Sequence, residues 1–121
     1  MEFPQGGRFP VLPIKNTVIF PGQALPLRVG RKTSIAAIHE SKKSSYWVLA
    51  VAQKKDAAGN EFDLADLYSV GTLCKVEKIR GSLEEGYQIL VRGSARFRLN
   101  HLEESQGVIW AQAESWNDLF D

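Results

Sequence analysis

One cysteine, two histidines and one methionine among 121 residues leave little material for redox chemistry or for metal binding. Cys74 has no second thiol to pair with, and a lone thiol cannot build a zinc site. The reading that follows is a reducing, cytoplasmic setting. His39 and His101 lie far apart along the chain, without partners at metal-ligand spacing. No apolar run approaches the roughly 18 residues that a membrane-spanning helix requires. From Met1 to Phe9 there is proline, glycine and charge where a secretory signal would need an apolar stretch. Neither sign of charge prevails: fifteen basic side chains face fourteen acidic ones, for a formal charge of +1. Nucleic-acid binders draw affinity from phosphate neutralisation and show a strong positive excess, so a nucleic-acid partner is not expected. Phosphate-loop, nucleophile-elbow and zinc-protease motifs are all missing from the sequence.

What is present is the composition of one globular domain with an ordinary core, 44% hydrophobic and 24% charged. Residues 1–8, with Pro4 and the Gly6-Gly7 pair, read as a flexible leader. Phe9 to Ile14 is apolar but broken by Pro10 and Pro13; each proline removes a ladder donor, which predicts an edge strand at most. Thr17 to Phe20 is β-branched and aromatic, then Pro21-Gly22 makes a turn. Leu25 to Val29 reads as a further short strand, again an edge because of Pro26. Arg31 to Ser41 is the one convincing helix, with Ile35 and Ile38 on its apolar stripe and Arg31 and Lys32 toward water. Tyr46 to Ala52 is apolar at successive positions, as in a strand buried on both faces. Lys54 to Asp66 forms a long polar loop.

The second half reads as strand throughout. Val70 to Ile79 is rich in β-branched residues, and a turn follows through Glu84-Glu85. Tyr87, Ile89, Val91, Ala95, Phe97 and Leu99 share one parity, with Gln88, Arg92, Ser94, Arg96 and Arg98 on the other. At about 3.3 Å per residue such a run is long for one flat strand, and Gly93 near its middle predicts a bend or bulge where the chain passes between sheets. Ser105-Gln106-Gly107 turns into a last strand, Val108 to Trp116. The fold class is therefore mainly β (α+β): a curved, mostly antiparallel sheet or partly open barrel of six or seven strands. The single helix would plug one end or cover one opening.

No residue set adds up to a catalytic site. Cys74 alternates with Thr72 and Val76 and reads as a small core residue. Glu61, Asp63 and Asp66 fall in a loop, where carboxylates are seldom buried or paired in the way acid–base catalysis requires. Arg92, Arg96 and Arg98 share one face of one strand; the plainer reading is a solvated face paired with Glu77 or Glu103. The rival is an RNA platform, for which no aromatic residue interleaves with the arginines. Apolar groups in polar or proline-rich surroundings are the better lead. Phe20, Pro21, Leu25 and Pro26 crowd a segment poorly suited to a regular sheet, and Phe62, Leu64, Leu67 and Tyr68 punctuate the polar loop. Any of them left exposed would suit an extended or unfolded polypeptide.

The run from Pro10 through Leu12-Pro13-Ile14-Lys15-Asn16-Thr17 to Phe20-Pro21-Gly22 resembles the opening of the N-terminal domains of Lon-type ATP-dependent proteases. So do Leu25-Pro26-Leu27-Arg28-Val29-Gly30-Arg31 with Ser34-Ile35, Val51-Ala52-Gln53-Lys54, Asp66-Leu67-Tyr68-Ser69-Val70-Gly71-Thr72, and Leu90-Val91-Arg92-Gly93 leading to Ala95-Arg96-Phe97-Arg98-Leu99. These pieces stand in the family's order over roughly residues 9–100. The resemblance implies a PUA-like β-rich fold with a single helix, spanning 9–116, with 117–121 beginning a connection to a helical part beyond the chain. It implies a non-catalytic module that captures unfolded, damaged or degron-bearing polypeptides and helps to organise a homo-hexamer. ATP and Mg, in that family, serve an ATPase module outside this region, alongside a Ser–Lys peptidase. Polypeptide contacts are expected from Phe20, Pro21, Leu25 and Pro26, with the loop from Lys54 to Leu67 shaping access. The alternatives are a stand-alone protein of the same domain type and a PUA-like RNA-binding module.

Overall fold

The computed structural model describes residues 3–15, 18–54, 64–82 and 84–116. Its elements run β1 (Gly6–Ile14), β2 (Ala24–Val29), α1 (Lys32–Ser41), β3 (Trp47–Ala52), β4 (Val70–Ser82), β5 (Gly86–Ser105) and β6 (Val108–Ser115), with short 3-10 turns at Lys42–Ser44 and Leu64–Asp66. β5 pairs with β4, β4 with β3, β3 with β1, β1 with β6, and β6 with β5 again. Five strands thus close a ring, and β2 hangs on the outer side of β5 as an edge. Every pairing is antiparallel except β1 with β3. The mainly β reading with one helix holds, and the pairing of β5 with β6 shuts the opening that a partly open barrel would have had. Among the described residues, no helix is long and apolar enough to cross a membrane.

The first strand departs from expectation. Pro10 and Pro13 argue for an edge, yet β1 lies between β3 and β6. Its two halves pair on opposite sides: Gly6–Pro10 with β6, Val11–Ile14 with β3. Each half keeps one flank free of that ladder, where a proline nitrogen can be accommodated. Gly6 to Arg8, expected within the flexible leader, are ladder residues opposite Glu114, Ala113 and Gln112. Tertiary pairing overrides the weak local preference of glycine here. The residues expected as a connection, 117–121, and most of the expected polar loop, 55–63, lie outside the described residues.

Two cores follow from the closed ring. Phe9, Val11, Leu49, Leu73, Phe97 and Ile109 belong to a cluster fed by all five ring strands, so it fills the barrel. Leu12, Ile14, Val48, Cys74 and Val91 face the other way and meet Val29 of β2 and Ile38 of α1. Alternate residues of β3 enter different cores, which is why the strand is apolar at every position. The helix accordingly covers the outer face of the barrel instead of an opening, and its buried side is Ser34, Ala37, Ile38 and Ser41. Arg31, expected to face water, is half-buried. Small residues at Ser34, Ala37 and Ser41 let the helix approach the strands closely. It ends where the Tyr46 N–H donates to the Ser41 carbonyl (2.8 Å), with Ser45 left-handed at φ 61°.

β5 serves both cores through an irregularity. Leu73 pairs with Ala95 but Cys74 with Gly93, so Ser94 is an extra residue in the ladder. The slip sends Val91 to the outer core and Ala95, Phe97 and Leu99 to the barrel interior, although all share one sequence parity. The bend expected at Gly93 is this bulge. At the free edge, the Gly93 N–H donates to the Gln23 carbonyl (2.9 Å), which sets the phase of β2 on β5. Two-residue alternation then turns Leu25 and Leu27 backbone groups toward β5 and the Pro26 nitrogen outward. Pro26 marks an edge strand, as the sequence predicts. Inside, Gln53 is anomalous: both its amide atoms are buried without a hydrogen-bond partner among the described residues.

Candidate functional site

Of the β-branched and aromatic stretch Thr17 to Phe20, Val18 to Phe20 run without regular structure into a tight turn. The turn is Phe20-Pro21-Gly22-Gln23. Proline at the second position, Gly22 at φ 87° at the third, and the Gln23 N–H donating to the Phe20 carbonyl (3.0 Å) define a type II turn. The Gln23 side chain reinforces it by accepting from the Phe20 N–H (3.0 Å). Three further bonds dock the turn on the sheet. The Gly22 N–H donates to the Gly93 carbonyl (2.8 Å), the Gly93 N–H to the Gln23 carbonyl, and the Thr72 hydroxyl to the Ile19 carbonyl (2.6 Å). A Cβ at position 93 would stand 2.5 Å from the Phe20 oxygen, so glycine is what allows the two backbones to approach.

This anchoring buries Ile19 and leaves its neighbours outside. Val18 is 52% exposed and Phe20 56%, while Tyr68, fifty positions away in sequence space yet adjacent in the fold, is 48% exposed. Together with Val70 they line a groove of about 470 Å³ floored by Ile19 and Ala50 and bordered by Arg96 and Thr72. Large exposed apolar side chains gathered at one hollow make it the candidate interaction site of the described surface. Of the residues singled out from sequence, Phe20 lines this groove. Pro21 and Pro26 are exposed but stand outside it, and Leu25 is half-buried against the outer core. Val18 had carried no signal of its own. Of the loop residues, Leu67 is buried in the barrel core with Leu64 packed against it, whereas Tyr68 reaches the groove; Phe62 lies outside the described residues.

The three arginines of β5 do not form a platform. Because Ser94 is extra, Arg92 points away from the outer core while Arg96 and Arg98 point away from the barrel interior, on the opposite face of the sheet. Arg92 binds Glu77 (Nε to Oε2, 3.0 Å), as the plainer reading has it. Arg98 lies over the Trp116 ring at 5.3 Å. Arg96 has neither an ion pair nor a side-chain hydrogen bond among the described residues and sits at the groove. Cys74 is fully buried, and burial pushes its thiol up to about 12, far from the behaviour of a nucleophile. His39 is exposed on the helix, edge-on to Tyr87 at 5.9 Å, and His101 is exposed beside Glu103. Among the described residues, no three His, Cys, Asp or Glu side chains could hold a metal ion together.

The sequence profile of the ATP-dependent protease La (LON) substrate-binding domain matches residues 8–120. Lon protease 1 of Bdellovibrio bacteriovorus is 43% identical over 112 residues, covering 93% of this chain and 14% of that protein. The Lon protease of Anaeromyxobacter dehalogenans is 37% identical over 109 residues, covering 90% of this chain and 13% of that protein. The chain therefore spans only about one-seventh of the length of these curated relatives. Among solved structures, the N-terminal domain of a Mycobacterium avium complex Lon protease superposes with a TM-score of 0.73 at 20% identity, over 92% of this chain and 55% of that one. A Lon N-terminal domain protein from Xanthomonas campestris gives 0.68 at 15% identity, over 91% and 60%. These two establish the likeness of fold, and the profile match over nearly the whole chain establishes the lineage: this chain belongs to the family of Lon substrate-binding domains.

Proposed function

We propose that the domain recognises unfolded, damaged or degron-bearing polypeptide on behalf of a cytoplasmic Lon-type ATP-dependent serine protease and performs no catalysis itself. The observation that carries this reading is the groove at Val18, Phe20 and Tyr68, where large apolar side chains are held out to solvent by a hydrogen-bonded turn. Folded proteins keep such surface hidden, so the groove favours chains whose own apolar residues are exposed. Because the turn is fixed before contact, binding loses little conformational freedom on the domain's side. ATP and Mg act in modules outside this chain. In the full-length protease, six copies displayed on one homo-hexameric ring would raise the effective concentration of weak sites.

The contributions of Pro21, Leu25 and Pro26 belong to the same proposal, as a flank beside Phe20 that a longer client segment would cross. The test is titration of a fluorescently labelled unfolded protein onto the isolated chain. Phe20→Ala removes a side chain whose full burial stabilises by about 1.5–3 kcal/mol, so affinity should fall about tenfold or more. An isotherm unmoved by both Phe20→Ala and Tyr68→Ala rejects the groove; one unmoved by Leu25→Ala confines the contact to it.

A further inference from the structure

The groove holds one charged group whose place the apolar reading leaves unexplained. Arg96 lies opposite Thr72 in the ladder, is half-buried, and borders the hollow lined by Phe20, Tyr68 and Val70. Its two neighbours along β5 are satisfied, Arg92 by Glu77 and Arg98 by the Trp116 ring. Arg96 makes no such contact among the described residues. Lys54, also a cation, approaches the Tyr68 ring at 5.9 Å. No acidic side chain lines the hollow among the described residues. A guanidinium beside apolar walls interacts with an anion more strongly than one in open water, because the local dielectric is lower and its planar fork can bind a carboxylate with two parallel hydrogen bonds.

From this we propose that the groove selects among apolar polypeptide segments by charge: it prefers an extended segment whose bulky apolar residues are flanked by a carboxylate side chain, which pairs with Arg96. The inference rests on the groove being the polypeptide site. Apolar contact supplies the affinity, and Arg96 supplies the discrimination, admitting Asp or Glu next to the apolar residues and disfavouring Lys or Arg there. Segments flanked by basic residues would meet two like charges, Arg96 and Lys54, and no acidic side chain among the described residues that line the hollow.

The experiment uses three short fluorescein-labelled peptides with the same alternating Phe, Leu and Val residues and a single flanking Glu, Gln or Lys. Fluorescence anisotropy measures each against the chain and against its Arg96→Gln, Arg96→Lys and Phe20→Ala variants, with circular dichroism confirming that each variant keeps its strand content. The Glu peptide should bind about threefold to tenfold tighter than the Gln peptide, and the Lys peptide weaker than both, with the differences shrinking as salt is added. Arg96→Gln should bring the three peptides together without abolishing binding, and Arg96→Lys should retain part of the preference. Equal binding of the three peptides to the unmodified chain, or a preference that survives Arg96→Gln, overturns the assignment to Arg96. Failure of all three to bind, or binding indifferent to Phe20→Ala, strikes instead at the groove as the polypeptide site, so the two failures are distinguishable.

Discussion

Single residues here reveal their roles through what surrounds them. Gly93 is the clearest case, since any side chain would press on the Phe20 carbonyl. Gly93→Ala should destabilise the chain by about 1–3 kcal/mol in urea denaturation and lower affinity for unfolded protein at the same time. Gln53 predicts the reverse. Its amide is buried without partners among the described residues, and an apolar side chain of similar shape removes that desolvation cost. Gln53→Met should raise the stability by about 1 kcal/mol, read as a higher melting temperature. Cys74 carries a pH prediction. Its thiol moves from an ordinary 9.0 to about 12 in the folded chain, so the native state holds the proton that the unfolded state gives up first. The stabilisation is complete below pH 9 and is lost as pH rises through the interval up to about 12. Thiol reagents at pH 8 should accordingly modify Cys74 only after denaturant is added. That Cys74 is core was readable from its alternation with Thr72 and Val76; that Gln53 is buried was not, because nothing local distinguishes it from a surface glutamine.

Among elements, the legible ones were those whose pattern is set locally. The alternation along β5, the helix, the proline edge of β2 and the turn at Gln106-Gly107 follow from period and turn chemistry. What stayed hidden depends on partners distant in sequence. β1 carries two prolines and still lies inside the sheet, because its halves pair on opposite flanks with strands from the middle and the end of the chain. The segment Val18–Phe20 has the residues of a strand, but Thr72 binds the Ile19 carbonyl and Gly93 binds Gly22 and Gln23 in the turn that follows, from two other strands. Phe20 was readable as a candidate from its proline-rich surroundings. The groove was not, since Val18 and Tyr68 meet only after β3 and β4 are in place. The Thr72 hydroxyl is the element-level fastening. Thr72→Val keeps the shape but strands a buried carbonyl, which should cost about 1–3 kcal/mol. Calorimetry would measure that loss, and amide hydrogen exchange should localise it to residues 18–23.

For the molecule as a whole, ring closure matters most. Two cores share β1, β3, β4 and β5, so neither can melt while the other stays intact. Unfolding should be a single transition, with tryptophan fluorescence and far-ultraviolet circular dichroism coinciding. Closure also leaves β2 as the sheet's outer edge, and there the outward row of donors is interrupted by Pro26. A surface that presents greasy side chains to unfolded chains faces a particular hazard: a guest could zip its backbone onto the host and stay, seeding a stack of strands. By withholding an amide proton at the middle of that edge, Pro26 works against such zipping; under the proposed polypeptide-binding role a client would then be held by side chains, loosely enough to be passed onward.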